Sequence, residues 1–484
     1  MVDREEFIIM INIAEKLQNN KIFEYASLHK DTIIYVLFIV FASVISIVFS
    51  FMLPFGQVPD EMTHYKYIEK EFGTSGYADE MASKIWSGGG YSELPSNEGV
   101  KVDESLAHSV SDAHFDKKLS IKDFHIKIQC IKHLPAGVGF YLGILLRLPI
   151  ITCTHMAELF AAAFFVFMGC ITIKIAPIKK EVFAFCMLIP ETLQQCTSVN
   201  YDAVLIPCSM FLFAFILHLY YREEKVGWKD VLVIATVTIV IVVTKIPYAA
   251  ISLCVLIIPA SHYELNIGKK IEIASLIRRF WYLVLMLAML AGFFYVYSRR
   301  HTPDMKTLVS DIMSFPEFLK LLWRTGDHLG YYHIQQLVGM FGWLDSVVSS
   351  IYIIIFFSVM VYLNSCITET VEGKIGIVRR AWLLLISIII FMFIEAAIQS
   401  YTYEYLDWDR LAGISTYRSY ISDLDMILGV QGRYWIPILP IILVSFSGET
   451  KRKKTSFYYI IQLLFYALSA VYVIGILYNR YWIG

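Results

Sequence analysis

Charge is what this chain is short of. Asp, Glu, Lys and Arg make up 17% of its 484 residues and nearly cancel, 41 basic against 42 acidic, for a net charge of −1. Such a balance speaks against nucleic acid as a partner and against a polyacidic tail. Paired cysteines are missing as well: there are eight, none in a CxxC spacing, and Cys153, Cys170, Cys186, Cys208 and Cys254 sit in or beside apolar runs. Neither a disulfide framework nor a zinc site is supported. No internal repeat or heptad pattern occurs, and the sole low-complexity tract, Ser87-Gly88-Gly89-Gly90, reads as flexible loop. What is abundant is apolar: 57% hydrophobic, 15% aromatic, mean hydropathy +0.58. A soluble chain of this length would hold two to four domains; this composition instead specifies an all-α polytopic membrane protein.

A span needs about 20 mostly apolar residues to cross a hydrocarbon core of roughly 30 Å. Eleven are expected, at about 32–53, 153–175, 182–200, 203–221, 230–245, 246–261, 280–298, 346–364, 381–400, 434–447 and 456–478. The first is too long, and lacks the A-x-A exit, for a cleaved signal, so residues 1–31 read as a cytoplasmic tail and 32–478 as one transmembrane domain. With the N-terminus inside, six short cytoplasmic segments collect 21 Lys and Arg, among them Lys179-Lys180, Arg379-Arg380 and Lys451-Arg452-Lys453-Lys454. This is the asymmetry the positive-inside rule requires. The long loops 54–152, 299–345 and 401–433 then face outward with 23 acids. Residues 133–149 are apolar, but counting them as a span would put Lys179-Lys180 and Lys451 to Lys454 outside. They read instead as an amphipathic helix at the outer surface, with Lys132 and His133 beside it as phosphate contacts or as interfacial anchors.

Four polar constellations fall on the outward face. Val58-Pro59-Asp60-Glu61-Met62-Thr63-His64 follows the first span. In a helix starting there, Asp60 and His64 share a face one turn apart, a good position for a general base; the alternative is two carboxylates complementing a helix N-terminus. Pro190 to Asp202 ends the third span with Glu191, Gln194, Gln195, Asn200, Tyr201 and Asp202. Polar groups at membrane depth must line a protein interior or a wet cavity, although a plain N-cap by Asn200 or Asp202 is the alternative for the last of them. Gln431-Gly432-Arg433-Tyr434-Trp435 opens the tenth span; Arg433 suits a lipid phosphate, or else snorkels among interface aromatics. Gly342-Trp343-Leu344-Asp345 closes the loop before the eighth span, where Trp343 can stack on a sugar and Asp345 accept its hydroxyls, or Trp343 is an interface aromatic. The upstream cluster Trp323, Arg324, Asp327, His328, Tyr331, Tyr332, His333 has no metal spacing and reads as loop packing or substrate contact.

V-P-D-E-x-x-H, S-V-x-Y-D, K-x-P-Y at Lys245 to Tyr248, G-W-L-D and Q-G-R-Y, in this order over about residues 50–445, resemble the bacterial membrane family catalogued as domain of unknown function 2142. That family in turn is similar to the GT-C glycosyltransferases. The resemblance implies a GT-C-like fold with a long outward first loop, in the bacterial cell membrane. It implies an inverting transfer of sugar from a polyprenyl-phosphate donor to a glycan, lipid or protein acceptor outside. The first-loop acidic position falls on Asp60, with Glu61 as its catalytic neighbour. Substrate contacts are expected from His64, Lys132, His133, Tyr201, Asp202, Lys245, Trp343, Asp345, Gln431 and Arg433. The sequence requires no cofactor, and GT-C members differ on metal, so a divalent ion stays open. A transporter or flippase of lipid-linked glycan is the competing reading, though the spans are nearly charge-free apart from Glu158, Glu191, Lys245 and Glu395. A non-catalytic assembly subunit is the third.

Overall fold

The computed structural model describes residues 30–86, 90–94, 97–102, 108, 111–263, 315–365, 375–411, 426–427, 429–447 and 456–483. The tail, the span expected at 280–298 and the Lys451 to Lys454 cluster lie outside these residues. Helices dominate; the described strands are Met340–Phe341 and Ser346–Val347, a two-residue antiparallel pair. Five helices are long and apolar enough to cross a membrane: Thr32–Met52, Ile150–Ile175, Asp202–Tyr221, Ile377–Ile398 and Tyr458–Tyr481. Shorter apolar helices at Ile246–Ile257, Ser350–Ser365 and Gly432–Ser445 accompany them. The expected multi-pass all-α architecture is therefore present, around one buried cluster that runs from Ile34 to Tyr481.

The first span (α1, Lys30–Met52) packs antiparallel on Ile150–Ile175, with Phe38 against Phe165 and Phe51 against His155. Between them the chain builds α2 (Glu61–Phe72) and α3 (Leu134–Leu145). At 12 residues, about 18 Å by helical rise, α3 is too short to cross. It folds back along the first turns of α4 (Ile150–Ile175): a Cβ on Gly139 would lie 2.3 Å from the Met156 carbonyl oxygen. Glycine at 139 is what lets the two backbones approach. The opposite face of α3 leaves Leu134, Val138, Leu142 and Leu145 exposed.

Three stretches differ from their sequence reading. The span expected at 182–200 is two short helices, α5 (Lys180–Met187) and α6 (Pro190–Thr197). Pro190 cannot donate the hydrogen bond that would continue α5, and it starts a new helix at its favoured first position. The span at 381–400 belongs to Ile377–Leu411, whose 35 residues reach about 52 Å and so carry the helix into the loop expected at 401–433. The loop expected at 299–345 contains a 24-residue helix, Phe315–Val338, before the strand pair. Its buried Phe318 packs with Leu321 and Leu322 against Ile427 and Val430. The Trp323 to His333 cluster is therefore helical, with Trp323 80% exposed.

The bundle has two chemically distinct ends. At one, Lys179 donates to the Asn364 carbonyl, Arg379 to Ile257 and Arg380 to Ser447. At the other, Trp482 donates to the Met52 carbonyl, Tyr481 to Gln57, and the acidic motifs gather.

Candidate functional site

Asp60 stands where the loop after α1 becomes α2. Its backbone is left-handed, φ 67°, which side chains other than glycine's adopt at a cost that Asp and Asn bear best. It sits in the N-cap position, yet its side chain makes no capping hydrogen bond. The carboxylate is exposed and bonds to no described residue. Asp60 therefore stands at a helix N-terminus, as either sequence reading has it, without spending its carboxylate on a cap. Glu61 behaves oppositely: it is 2% exposed and its Oε2 accepts the Gly56 N–H at 2.8 Å. Burial, followed by the charge of Glu158, raises its pKa above the usual carboxylate range, to about 8. A carboxyl held neutral and hydrogen-bonded to backbone anchors the loop that aims Asp60.

One turn on, the His64 N–H donates to the Asp60 carbonyl at 3.0 Å, which sets Asp60 at the mouth of α2 one turn before His64. His64 Nδ1 lies 2.9 Å from His133 Nε2, and its ring packs 5.2 Å from that of Tyr201. Burial above all, then the charges of His133, Arg433 and Lys132, push its pKa down to about 2. His133 Nδ1 is 2.8 Å from Glu71 Oε2, and Lys132 Nζ is 3.0 Å from Glu71 Oε1. Lys132 and His133, expected to meet a phosphate, are both held by Glu71. No motif singled out Glu71, which sits in an ordinary charged helical stretch, EKEF.

The second constellation closes over the first. The Asn200 side chain accepts the N–H of Asp202 at 2.7 Å and of Ala203 at 3.2 Å. Asn200 thereby caps the next helix, Asp202–Tyr221, and leaves the Asp202 carboxylate for other work. That work is Arg433, whose Nε is 3.8 Å from Asp202 Oδ2. Arg433 is itself buried; its Nη1 donates to Gln195 Oε1, while Nε has no hydrogen-bond partner. Gln195 in turn donates to Glu191 at 2.8 Å and accepts from Asn200 at 2.9 Å. The glycine before Arg433 has a steric reason, since a Cβ there would lie 1.9 Å from the His333 carbonyl oxygen. Gln336, on the Phe315–Val338 helix, accepts the Gly432 N–H at 3.0 Å and fixes the turn. Gln431 is half-buried at the turn, where its carbonyl accepts the Tyr434 N–H at 3.0 Å.

Lys245 arrives from the end of Trp228–Thr244. Its Nζ is 3.5 Å from the ring centre of Tyr434, 5.7 Å from that of Tyr201 and 5.8 Å from that of Tyr248, with no carboxylate within ion-pair distance among the described residues. Tyr248 donates to the Tyr434 carbonyl at 2.6 Å, so the K-x-P-Y and Q-G-R-Y segments are tied together. Two cations, one carboxylate and three tyrosine rings thus converge beside Asp60, whose charge reaches both Tyr201 and Tyr434. Lys245 and the partnerless Nε of Arg433, walled by aromatics, are the groups of this cluster suited to an anionic ligand.

The G-W-L-D motif takes a different part. The Asp345 Oδ2 is 2.7 Å from Arg480 Nε, and Trp343 is 40% exposed. Arg480 also donates to the carbonyls of Leu94 and Val100, at 2.7 and 3.1 Å. Asp345 thus pairs with Arg480, the residue that ties the Ser456–Tyr481 helix to the first loop, rather than with Arg433 or Lys245. The strand pair reaches the site only indirectly, through Glu191 accepting from Met340 at 3.1 Å and Gln194 from Gly342 at 3.0 Å. Among the described residues no three His, Cys, Asp or Glu side chains are grouped to hold a metal ion.

Comparison with curated proteins and with solved structures returned no match. The ordered motifs that build this site lie within a stretch, residues 41–442, that matches the family described as predicted membrane protein DUF2142; the chain belongs to that family and is a multi-pass membrane protein.

Proposed function

We propose that the chain is a GT-C-like, inverting membrane glycosyltransferase that moves a sugar from a polyprenyl-phosphate donor to an acceptor on the outer face of a bacterial cell membrane. The observation that supports it is the pairing of an unpartnered, conformationally strained carboxylate, Asp60, with the Arg433 and Lys245 cations in one cluster. Attack by a neutral hydroxyl is poor, and a positioned base is worth typically 10² to 10⁴-fold. Asp60 takes the hydroxyl proton as the oxygen bonds to the anomeric carbon. The bond from that carbon to the phosphate oxygen breaks with inversion. Arg433 and Lys245 steady the charge on the departing lipid phosphate. Backbone strain held at a functional residue is a familiar companion of such sites.

A second reading has its own observation. Glu61 lies close enough to Glu158 to feel its charge, and Glu158 Oε2 is 3.3 Å from His155 Nδ1. Buried proton-binding groups beside a membrane helix are a feature of coupled transporters and flippases. One experiment separates the two: purified protein incubated with polyprenyl-phosphate sugars, followed for released polyprenyl phosphate, beside liposomes loaded with lipid-linked glycan. Release without glycan translocation supports transfer; translocation without release overturns it.

A further inference from the structure

The first loop is acidic except at residues 117–128, a stretch outside every motif of the sequence. Those residues hold four lysines, Lys117, Lys118, Lys122 and Lys127, and one acid, Asp123, whereas the rest of 54–152 holds six bases and twelve acids. Asp123 is occupied within the chain. Its Oδ2 accepts the Ser120 N–H at 2.9 Å, and the Ser120 hydroxyl accepts the Lys122 N–H at 3.3 Å, which closes the short turn Ile121–Asp123. Further on, the His125 and Lys127 N–H groups donate to the Phe72 and Glu71 carbonyls, at 2.9 and 3.0 Å, at the end of α2. The backbone is therefore held, and what it presents is apolar. Ile121, Ile126 and Ile128 are 82%, 66% and 61% exposed. The ammonium groups of Lys118 and Lys122 beside them bond to no described residue.

The height of this segment in the bundle points to what covers it. The Phe124 ring packs 5.1 Å from that of Tyr141 on α3. Tyr141 stands two residues after Gly139, where α3 meets Met156 of α4, and the adjacent His155 stacks on Phe51 where α1 ends. The segment is thus level with the end of the first span, and it leads directly into the exposed apolar face of α3. A span ends where the hydrocarbon core gives way to headgroups.

We propose that residues 117–128 are a membrane-surface anchor selective for anionic lipid, in which Ile121, Ile126 and Ile128 enter the interfacial layer and Lys118 and Lys122 meet lipid phosphates. Bulky apolar side chains interleaved with lysines are the composition that lies in an anionic interface. A soluble acidic polysaccharide would satisfy the lysines and leave the isoleucines in water. The anchor presupposes nothing about the reaction. Through its two backbone bonds to Glu71 and Phe72 it holds the far end of α2, the helix that starts beside Asp60.

The test uses the full chain in nanodiscs of phosphatidylcholine, with or without phosphatidylglycerol. A bimane is attached at Ile126→Cys, and wild-type protein labelled in parallel gives the contribution of the native cysteines. Lipids with a nitroxide near the headgroup are expected to quench the label more than aqueous acrylamide does, and phosphatidylglycerol should raise that quenching about twofold. With Lys118→Gln and Lys122→Gln added, the rise should disappear while quenching in phosphatidylcholine stays the same. Ile121→Cys, at the most exposed of the three positions, serves where Ile126→Cys does not fold. Acrylamide reaching the label as freely as in denatured protein overturns the proposal. So does nitroxide quenching that is equal with and without phosphatidylglycerol. A label shielded from acrylamide only when heparin or a polyglutamate peptide is added assigns the surface to a soluble acidic partner and overturns it as well.

Discussion

Replacing Asp60 by Asn separates chemistry from folding more cleanly than any other change in this chain. The carboxylate bonds to no described residue, so its loss leaves nothing buried unsatisfied. Its φ of 67° is in the region where a β-carbon costs roughly 1–2 kcal/mol and where Asn is, like Asp, among the most tolerant side chains. Asp60→Asn should therefore melt within experimental error of wild type in detergent. On the proposed transfer mechanism, removing the carboxylate should lower turnover by about 10² to 10⁴-fold, or about 2.7–5.4 kcal/mol of barrier at 1.36 kcal/mol per decade, with donor affinity retained. Asp60→Gly should go further on one axis, being inactive yet more stable, because glycine relieves the left-handed strain. Glu61 supplies the contrast. As a carboxyl held neutral, it loses little on conversion to Gln, so Glu61→Gln should keep most activity. Glu61→Ala strands the Gly56 N–H and should cost about 1–3 kcal/mol of stability. The assay is release of polyprenyl phosphate by purified variants whose thermal unfolding is recorded alongside. Asp60→Asn turning over within threefold of wild type, or Glu61→Gln as inactive as Asp60→Asn, would falsify this division of roles.

Four further outcomes are expected. Arg433→Ala should raise donor KM at least tenfold, and Arg433→Lys should recover part of it, because an ammonium keeps the charge but loses the planar fork; steady-state kinetics checks this. Arg480→Ala should destabilise by about 1–3 kcal/mol because it removes the pair with the half-buried Asp345 and the bonds to the Leu94 and Val100 carbonyls, and a double-mutant cycle with Asp345→Asn in chemical unfolding should isolate the share of the pair. Gly139→Val should cost about 1–3 kcal/mol or block folding, since its side chain enters the Met156 backbone; circular dichroism melting reads it. Finally, His64 has a folded pKa depressed from 6.5 to about 2, so the unfolded chain takes up a proton that the folded chain refuses. Its contribution is complete above pH about 6.5 and is lost at about 1.4 kcal/mol per pH unit as pH falls toward 2. Unfolding followed between pH 7 and 5 should show that slope in wild type and a shallower one in His64→Gln.

Much of the site was legible because its parts are polar residues where polarity is expensive. Asp60, Asp202, Lys245 and Arg433 stand at the ends of apolar runs, and such interruptions are visible in a sequence whose charged fraction is 17%. What could not be read was which of them meet. Asn200 capping the helix, and so freeing Asp202 for Arg433, is a choice between two adjacent residues that spacing does not make. Glu71 stayed hidden because a carboxylate on a charged helix face looks the same whether it faces water or a buried histidine. Arg480 belonged to none of the motifs, yet it is the partner of Asp345. The Phe315–Val338 helix did leave a trace, in the apolar spacing of Phe318, Leu321 and Leu322, but the abundance of charged and aromatic residues around it reads as loop.

The contacts of Arg480 set a schedule for biosynthesis. The first loop emerges early from the ribosome, while the guanidinium that holds its Val100 and Leu94 carbonyls follows 380 and 386 residues later. At a synthesis rate of about 5–20 residues per second, that interval is roughly 20–80 seconds. For that time the acidic loop is without its clasp and open to proteolysis. A stall or truncation late in translation thus leaves a protein with every candidate site motif already made, but with the loop that carries Asp60 unsecured.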